Sequence, residues 1–320
     1  MNPLAPISDR PLLPGLIAAA GPRACTRFLE FFAGRIRNSN TRRAYGRAVA
    51  DFLTWCEDNR VPSIAAVQPH HVAAWIEVQT KKHAPPTTKL RLAALRHLFD
   101  WLVTGHVIDV NPAHAVRGPS HTVREGKTPV LSPEEARQLL DSIGVTTIAG
   151  LRDRALIGMM VYSFARIGAV LGMKVEDVYT QQRRLWVRLR EKGGKAHAMP
   201  CHHNLETYLN AYVEGAGIAG DPKGPLFRTM GRSKGRPLTR TPLQQAEAYE
   251  MITRRKNAAG IATRLGNHSF RATGITAYLE NGGTLEKAAQ MANHASTRTT
   301  QLYDRRREEL SLDEVERIRV

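Results

Sequence analysis

Acidic side chains are in short supply in this chain: 29 Asp and Glu stand against 46 Lys and Arg, leaving a formal charge of +17 over 320 residues. A surface so short of negative charge is expected to meet a polyanion, and nucleic acid fits better than a membrane surface. Long apolar runs are missing too. Nothing approaches the roughly eighteen consecutive apolar residues of a membrane span, and the stretch 12–20 is broken by Pro14 and Gly15. That stretch also fails as a secretory signal, because Asp9 precedes it and no basic segment does. Cysteine is scarce: Cys25, Cys56 and Cys201 are odd in number and lack ligand spacing, which excludes a disulfide framework and reads as thiols of a reducing cytoplasm. No Asp/Glu cluster suited to Mg²⁺ is visible. The pairs His70-His71 and His202-His203 are adjacent residues, expected to point apart, so no metal or other cofactor is expected.

What is present is enough apolar material to fold. At 42% apolar residues the chain is no basic tail, and 320 residues suit two domains with a core each. Residues 1–21 hold four prolines and no periodicity, which predicts a flexible leader. From Pro22 a helical stripe runs through Phe28, Leu29, Phe32 and Ile36. A second helix starts at an Asn-Ser-Asn-Thr cap (38–41) and carries Tyr45, Val49, Phe52, Leu53 and Trp55. A third opens at Gln68-Pro69, and a fourth, after residues 85–88, turns Leu90, Leu92, Leu95, Leu98, Phe99 and Leu102 inward. Together these make a four-helix unit over 22–111. Its exposed cations Arg42, Arg43, Arg47, Lys89, Arg91 and Arg96 are candidate phosphate contacts, with solvated faces as the plainer reading. Residues 112–127 carry no repeating apolar face and predict a linker, so that two basic halves could close around a duplex as a clamp.

The second part, 128–320, opens with Ser132 as N-cap, Pro133 at the first helical position and Glu135 closing a capping box. A longer helix from Leu151 leads to FARIGAVLGMKVEDV (164–178), where Arg166 sits among apolar residues. A cation there needs a buried carboxylate or a ligand anion to complete it. Strand patterns at 185–190 and 196–200 flank a Glu-Lys-Gly-Gly-Lys turn (191–195) and predict a hairpin. Helices are expected at 204–214 and 241–259, the latter with Tyr249 inward, separated by a Gly- and Arg-rich loop over 229–240. In NHSFRATG (267–274), His268 and Arg271 are three apart and share a face at the start of an amphipathic helix that stops at Asn281-Gly282-Gly283. Thr284 then caps a short helix, His294 falls in the turn after it, and MANHASTRTTQLY (291–303) ends on Tyr303.

The H-x-x-R box, the second His and the T-T-x-x-Y ending resemble those of the tyrosine recombinases, or phage integrases. The stretch 164–178 is similar to that family's first Arg box, and Asn40, Thr41 and Tyr45 resemble the start of a helix in its core-binding, SAM-like domain. The implied fold is mainly α with a small β-sheet, a four-helix core-binding domain followed by an α+β catalytic domain. The implied reaction is cleavage and rejoining of double-stranded DNA at inverted-repeat sites, by a homotetramer that exchanges its C-terminal tails. Its site residues are Arg166, Lys192 (with Lys195 as the alternative), His268, Arg271, His294 and Tyr303. One departure stands out: the family usually carries an acid three residues after the first arginine, where this chain has Ala169, which leaves Glu176 as a substitute.

The chemistry suits these residues. Two guanidinium forks match phosphate oxygens, and a phenol with an ordinary pKa near ~10 needs a base, the role for His268. The departing 5′ oxygen needs a proton, the role for Lys192, and His294 adds an N–H. A monomeric type IB topoisomerase and a decayed, purely DNA-binding relative are the competing readings, and Ala169 is the one residue that favours decay.

Overall fold

Asn38 sits in extended backbone, and its side chain accepts the N–H groups of Asn40 and Thr41, so the chain turns into a 20-residue helix there. The computed structural model that shows this describes residues 13–122, 126–191, 196–231 and 237–305. Contacts divide the chain into two units, 1–122 and 123–320.

The first unit contains α1 (Gly15–Ala19), α2 (Pro22–Glu30) running into a π-helical turn (Phe31–Arg35), α3 (Ser39–Asp58), α4 (Pro69–Lys82) and α5 (Pro85–Thr104). The four long helices follow the expected stripes, around a core of Phe31, Phe52, Leu53, Trp75, Leu95, Leu98 and Phe99. Several expectations are corrected. Leu16 and Ile17 of α1 are buried in this core, so the unit begins inside the stretch expected to be a leader. Five residues make no stable helix alone, and packing supplies what periodicity cannot reveal. Ala113 and Val116 are buried as well, so the expected linker starts as part of this unit. Leu29 and Leu90, expected inside, are 48% and 41% exposed because each lies off the seam its helix buries. Helix α5 starts at Pro85, earlier than expected, since proline suits a first helical position. Neither histidine pair points apart: the rings lie 3.9 and 4.0 Å centroid to centroid, with His71 Nδ1 accepting from Gln68 N and His202 Nδ1 from Asn204 N at helix starts.

The second unit begins with α6 (Pro133–Asp141), whose Ser132–Glu135 capping box forms as expected. Then come α7 (Ile148–Tyr162), α8 (Ile167–Leu171), the strands β1 (Val178–Gln181), β2 (Arg184–Arg190) and β3 (Ala196–Pro200), and α9 (His203–Gly215). After these follow β4 (Arg228–Met230), β5 (Leu238–Pro242), α10 (Gln245–Ala258), α11 (Ser269–Glu280), α12 (Leu285–Met291) and α13 (Thr297–Gln301). The first three strands form one antiparallel sheet in the order β1-β2-β3, with Arg190 opposite Ala196. Strand β1 has no counterpart in the sequence reading. It joins β2 through Gln182 and Arg183, both at positive φ (49° and 62°), a hairpin geometry normally signalled by Asn-Gly. The expected loop over 229–240 is bounded by the paired strands β4 and β5. Tyr249 is 50% exposed, while Met251 and Ile252 turn inward in its place. No helix among the described residues is long and apolar enough to cross a membrane.

A buried carboxylate fastens α10 to α7. Asp153, fully buried, accepts from Arg152 Nε and Nη2 (3.0 and 2.7 Å) and from Arg255 Nε and Nη2 (3.0 and 2.8 Å). Replacing Asp153 with Ala strands two cations around an empty position, and the expected loss of unfolding free energy is about 3–5 kcal/mol. Urea titration of the variant against the parent measures it; a loss below 1 kcal/mol contradicts this account.

Candidate active site

Helix α11 organises the site. It is buried on almost every side, not amphipathic as expected, and passes close to α7 at Gly274, where a Cβ would strike the Val161 carbonyl and the Phe164 ring. Arg271 lies in its first turn and is 1% exposed. Its Nη1 donates to the Phe164 carbonyl and its Nη2 to Ala292 O at 2.6 Å. Both acceptors border left-handed backbone. Phe164 itself has φ 53°, costly for a bulky residue, and Asn293, just after Ala292, has φ 48°. The strained turn aims the Phe164 carbonyl at the guanidinium, and the end of α12 offers Ala292 O as a C-terminal carbonyl suited to a cation. Burial, then the charge of Arg166, lower the Arg271 pKa to about 10, while Glu191 and Tyr303 act the other way, so it remains protonated at neutral pH.

Arg166 holds the N-cap position of α8 without a capping bond, its side chain 36% exposed. It has both partners the sequence reading weighed against each other: an exposed flank open to a ligand and a buried acid. That acid is Glu191, at the end of β2, its side chain 3% exposed. Glu191 Oε2 lies 2.6 Å from Arg166 Nη1, and Oε1 lies 3.8 Å from Arg271 Nη1. The expected substitute, Glu176, is elsewhere, paired with the exposed Lys223 at 2.8 Å. Asp177, the acid that ends the same box, is fully buried and holds Arg190 and Arg188 of β2 at 3.1 and 3.7 Å. Sequence reasoning missed Glu191. The available signal was a lone acid at the mouth of a basic hairpin.

His294 follows α12 and sits against the same cations. Its Nδ1 pairs with Thr300 Oγ1 at 2.8 Å, and its ring stacks on Tyr303 with centroids 6.0 Å apart and planes 8° from parallel. The Tyr303 backbone carbonyl accepts the Thr276 hydroxyl of α11 at 2.9 Å, and the phenol lies near enough to Arg271 to oppose the lowering of its pKa. His268 holds the N-cap position of α11, is solvent-exposed and makes no capping bond with its side chain. Partial desolvation, then Arg271 and Arg166, hold its pKa below the ordinary value. His197 of β3 is depressed as well, by burial first and Arg271 in part, with Glu191 and the Met291 backbone opposing.

Burial, then Arg271 and Arg166, push His294 from 6.5 to about 4, against Glu191. Because the folded pKa lies below the unfolded one, His294 contributes stability that is fully present above about 6.5 and is lost as pH falls towards 4. His294→Asn keeps a partner for Thr300 and removes the titration. The parent's stability advantage over this variant is expected to shrink on acidification through that window and to stay level above pH 7; parallel urea titrations at each pH check it, and a constant difference contradicts it.

The structure therefore gathers Arg166, His268, Arg271, His294 and Tyr303 into one region of the second unit. Lys192 and Lys195 lie outside the described residues, as does most of the C-terminal tail. The six cations of the first unit divide. Arg43 and Arg47 are exposed, and Lys89 is exposed with Nζ 3.4 Å from His121 O. Arg42 spends its fork on Ile36 O, Arg91 pairs with Asp51 at 2.7 Å, and Arg96 binds the carbonyls of Ala113 and Val116. Their sequence pattern shows a polar helix face but not these local acceptors.

The sequence profile described as "Phage integrase family" matches residues 129–309, and that described as "Phage integrase, N-terminal SAM-like domain" matches residues 26–106. Tyrosine recombinase XerD of Mycobacterium leprae (strain TN) is 28% identical over 287 residues, 83% of this chain and 86% of that one. Tyrosine recombinase XerC of Salmonella typhi is 26% identical over 228 residues, 71% and 72% of the two chains. The fold is similar to that of the XerH site-specific recombinase bound to palindromic difH substrate in a post-cleavage complex (TM-score 0.68, 16% identity, 95% and 96% covered). It is also similar to a lambda integrase dimer bound to a COC' core site (TM-score 0.66, 17% identity, 90% and 97% covered). With a helical unit ahead of a second unit in which two arginines meet one buried acid and His294 stacks on Tyr303, and with more than half its length matched by the profile, this chain belongs to the phage integrase family, the tyrosine recombinases.

Proposed function

We propose that this chain is a site-specific recombinase that cuts and rejoins double-stranded DNA through a 3′-phosphotyrosine intermediate, without a metal ion. Arg166 and Arg271 receive the two non-bridging oxygens of the scissile phosphate, and His294 adds an N–H to one of them. His268 takes the phenolic proton of Tyr303. The phenolic oxygen bonds to phosphorus as the bond to the 5′ oxygen breaks, and Lys192 gives that oxygen its proton. One phosphodiester replaces another, so a second 5′ hydroxyl can reverse the step and reseal the strand without ATP. Strand exchange then takes four protomers on two inverted-repeat sites, joined through their C-terminal tails, with the exposed Arg43, Arg47 and Lys89 on backbone phosphates.

The observation that carries this reading is the meeting of two guanidinium groups, from segments more than a hundred positions apart, beside the stacked His294 and Tyr303. The test is a nicked duplex with a 5′-bridging phosphorothiolate, whose departing thiolate reattacks poorly. The expected result is a covalent protein–DNA band on a denaturing gel, with the label on the 3′ side of the break. Absence of the band on every duplex from the encoding locus overturns the reading. Relaxation of supercoils without site preference assigns a topoisomerase in its place.

A further inference from the structure

Two guanidinium groups facing the same small space repel one another: burial first, and then the charge of Arg166, lower the Arg271 pKa. Something must hold them together before a phosphate arrives. The box that resembles the family's first Arg motif offers nothing for this: Ala169 carries no charge, Glu176 is engaged by Lys223, and Asp177 is engaged by Arg188 and Arg190. Among the described residues, the ion pairs of Arg166 and Arg271 all run to Glu191. One carboxylate oxygen accepts Arg166 Nη1 at 2.6 Å, and the other faces both the Arg166 backbone N–H at 3.4 Å and the Arg271 guanidinium at 3.8 Å. With a side chain 3% exposed, Glu191 has little freedom to serve any other partner.

We propose that Glu191 is a positioning residue for strand cleavage. From the hairpin, it does for both arginines what an acid at position 169 would do from the first box. Glu191 lies behind the guanidinium groups and leaves the exposed flank of Arg166 for the phosphate. It offsets one of the two positive charges, so the pair converges without a ligand and still carries net charge towards an incoming anion. This inference rests on the reading under Proposed function.

Single-turnover adduct formation on the phosphorothiolate duplex separates a positioning role from a structural one. The amplitude reports the fraction of folded, active protein, and the rate constant reports the chemistry. Glu191→Gln is expected to keep its half-saturating DNA concentration within about twofold and to lose about 10²-fold in rate constant, the scale of a misplacement of roughly 1 Å. Glu191→Asp keeps the charge one methylene short and is expected to fall between. Rate constants equal to the parent's in both single variants overturn the inference, as does loss of amplitude alone. If Glu191→Gln fails to fold, Glu191→Asp decides: a parental rate constant overturns the proposal, and a reduced one at full amplitude supports it. A parent protein that forms no adduct overturns the functional reading itself, and the inference with it.

Discussion

Tyr303→Phe is expected to bind DNA as the parent does and to form no covalent adduct. The change removes one oxygen and nothing else: the ring keeps its place against His294, and the backbone carbonyl keeps the Thr276 hydroxyl. What disappears is a hydroxyl near the Arg271 guanidinium, a loss of about 1 kcal/mol, so the variant folds. Under the proposed mechanism the reaction loses its nucleophile, and losses on deleting a nucleophile reach about 10⁶-fold, far below detection in a gel assay. Mobility shift gives the affinity and the phosphorothiolate duplex gives the adduct. A covalent band of parental intensity from Tyr303→Phe would remove Tyr303 from the mechanism.

Arg271→Lys carries the second large effect, in two measurements at once. A lysine keeps the charge but has a single point of attachment, so it cannot hold the Phe164 and Ala292 carbonyls while facing Glu191 and a phosphate oxygen. At least one buried carbonyl is left without a donor, costing about 1–3 kcal/mol of stability. Loss of a preorganised donor at the developing charge lowers the cleavage rate by about 10²–10³-fold. Urea titration and adduct kinetics at saturating DNA read the two losses separately. A stable variant that cleaves at the parental rate contradicts the assignment of Arg271.

Much of this site is written locally, and that part is legible from the sequence. The spacing of His268 and Arg271, the Ser132 capping box, the Asn38 cap and the 185–200 hairpin all depend on neighbours within a few positions, and the structure has each of these elements. What escaped is what depends on distant partners. Glu191 and Arg166 are 25 positions apart, and no periodicity marks a carboxylate as a bridge. The left-handed Phe164 is held by Arg271, 107 positions away, and nothing in Ser-Phe-Ala announces it. Leu16 and Ile17 fold because a core is waiting for them, and Arg42 and Arg96 turn inward because carbonyl oxygens lie within reach. In each case burial or a remote acceptor outweighs the local pattern.

The hydrogen bond from Thr276 to the backbone of Tyr303 ties the segment that carries the proposed nucleophile to α11. That helix also supplies Arg271 in its first turn, so under the proposed mechanism the attacking oxygen and the cations awaiting the phosphate would come from one chain. Each subunit of an assembly would then cut with its own tyrosine, and a defective copy would leave its own strand uncut without disarming its neighbours.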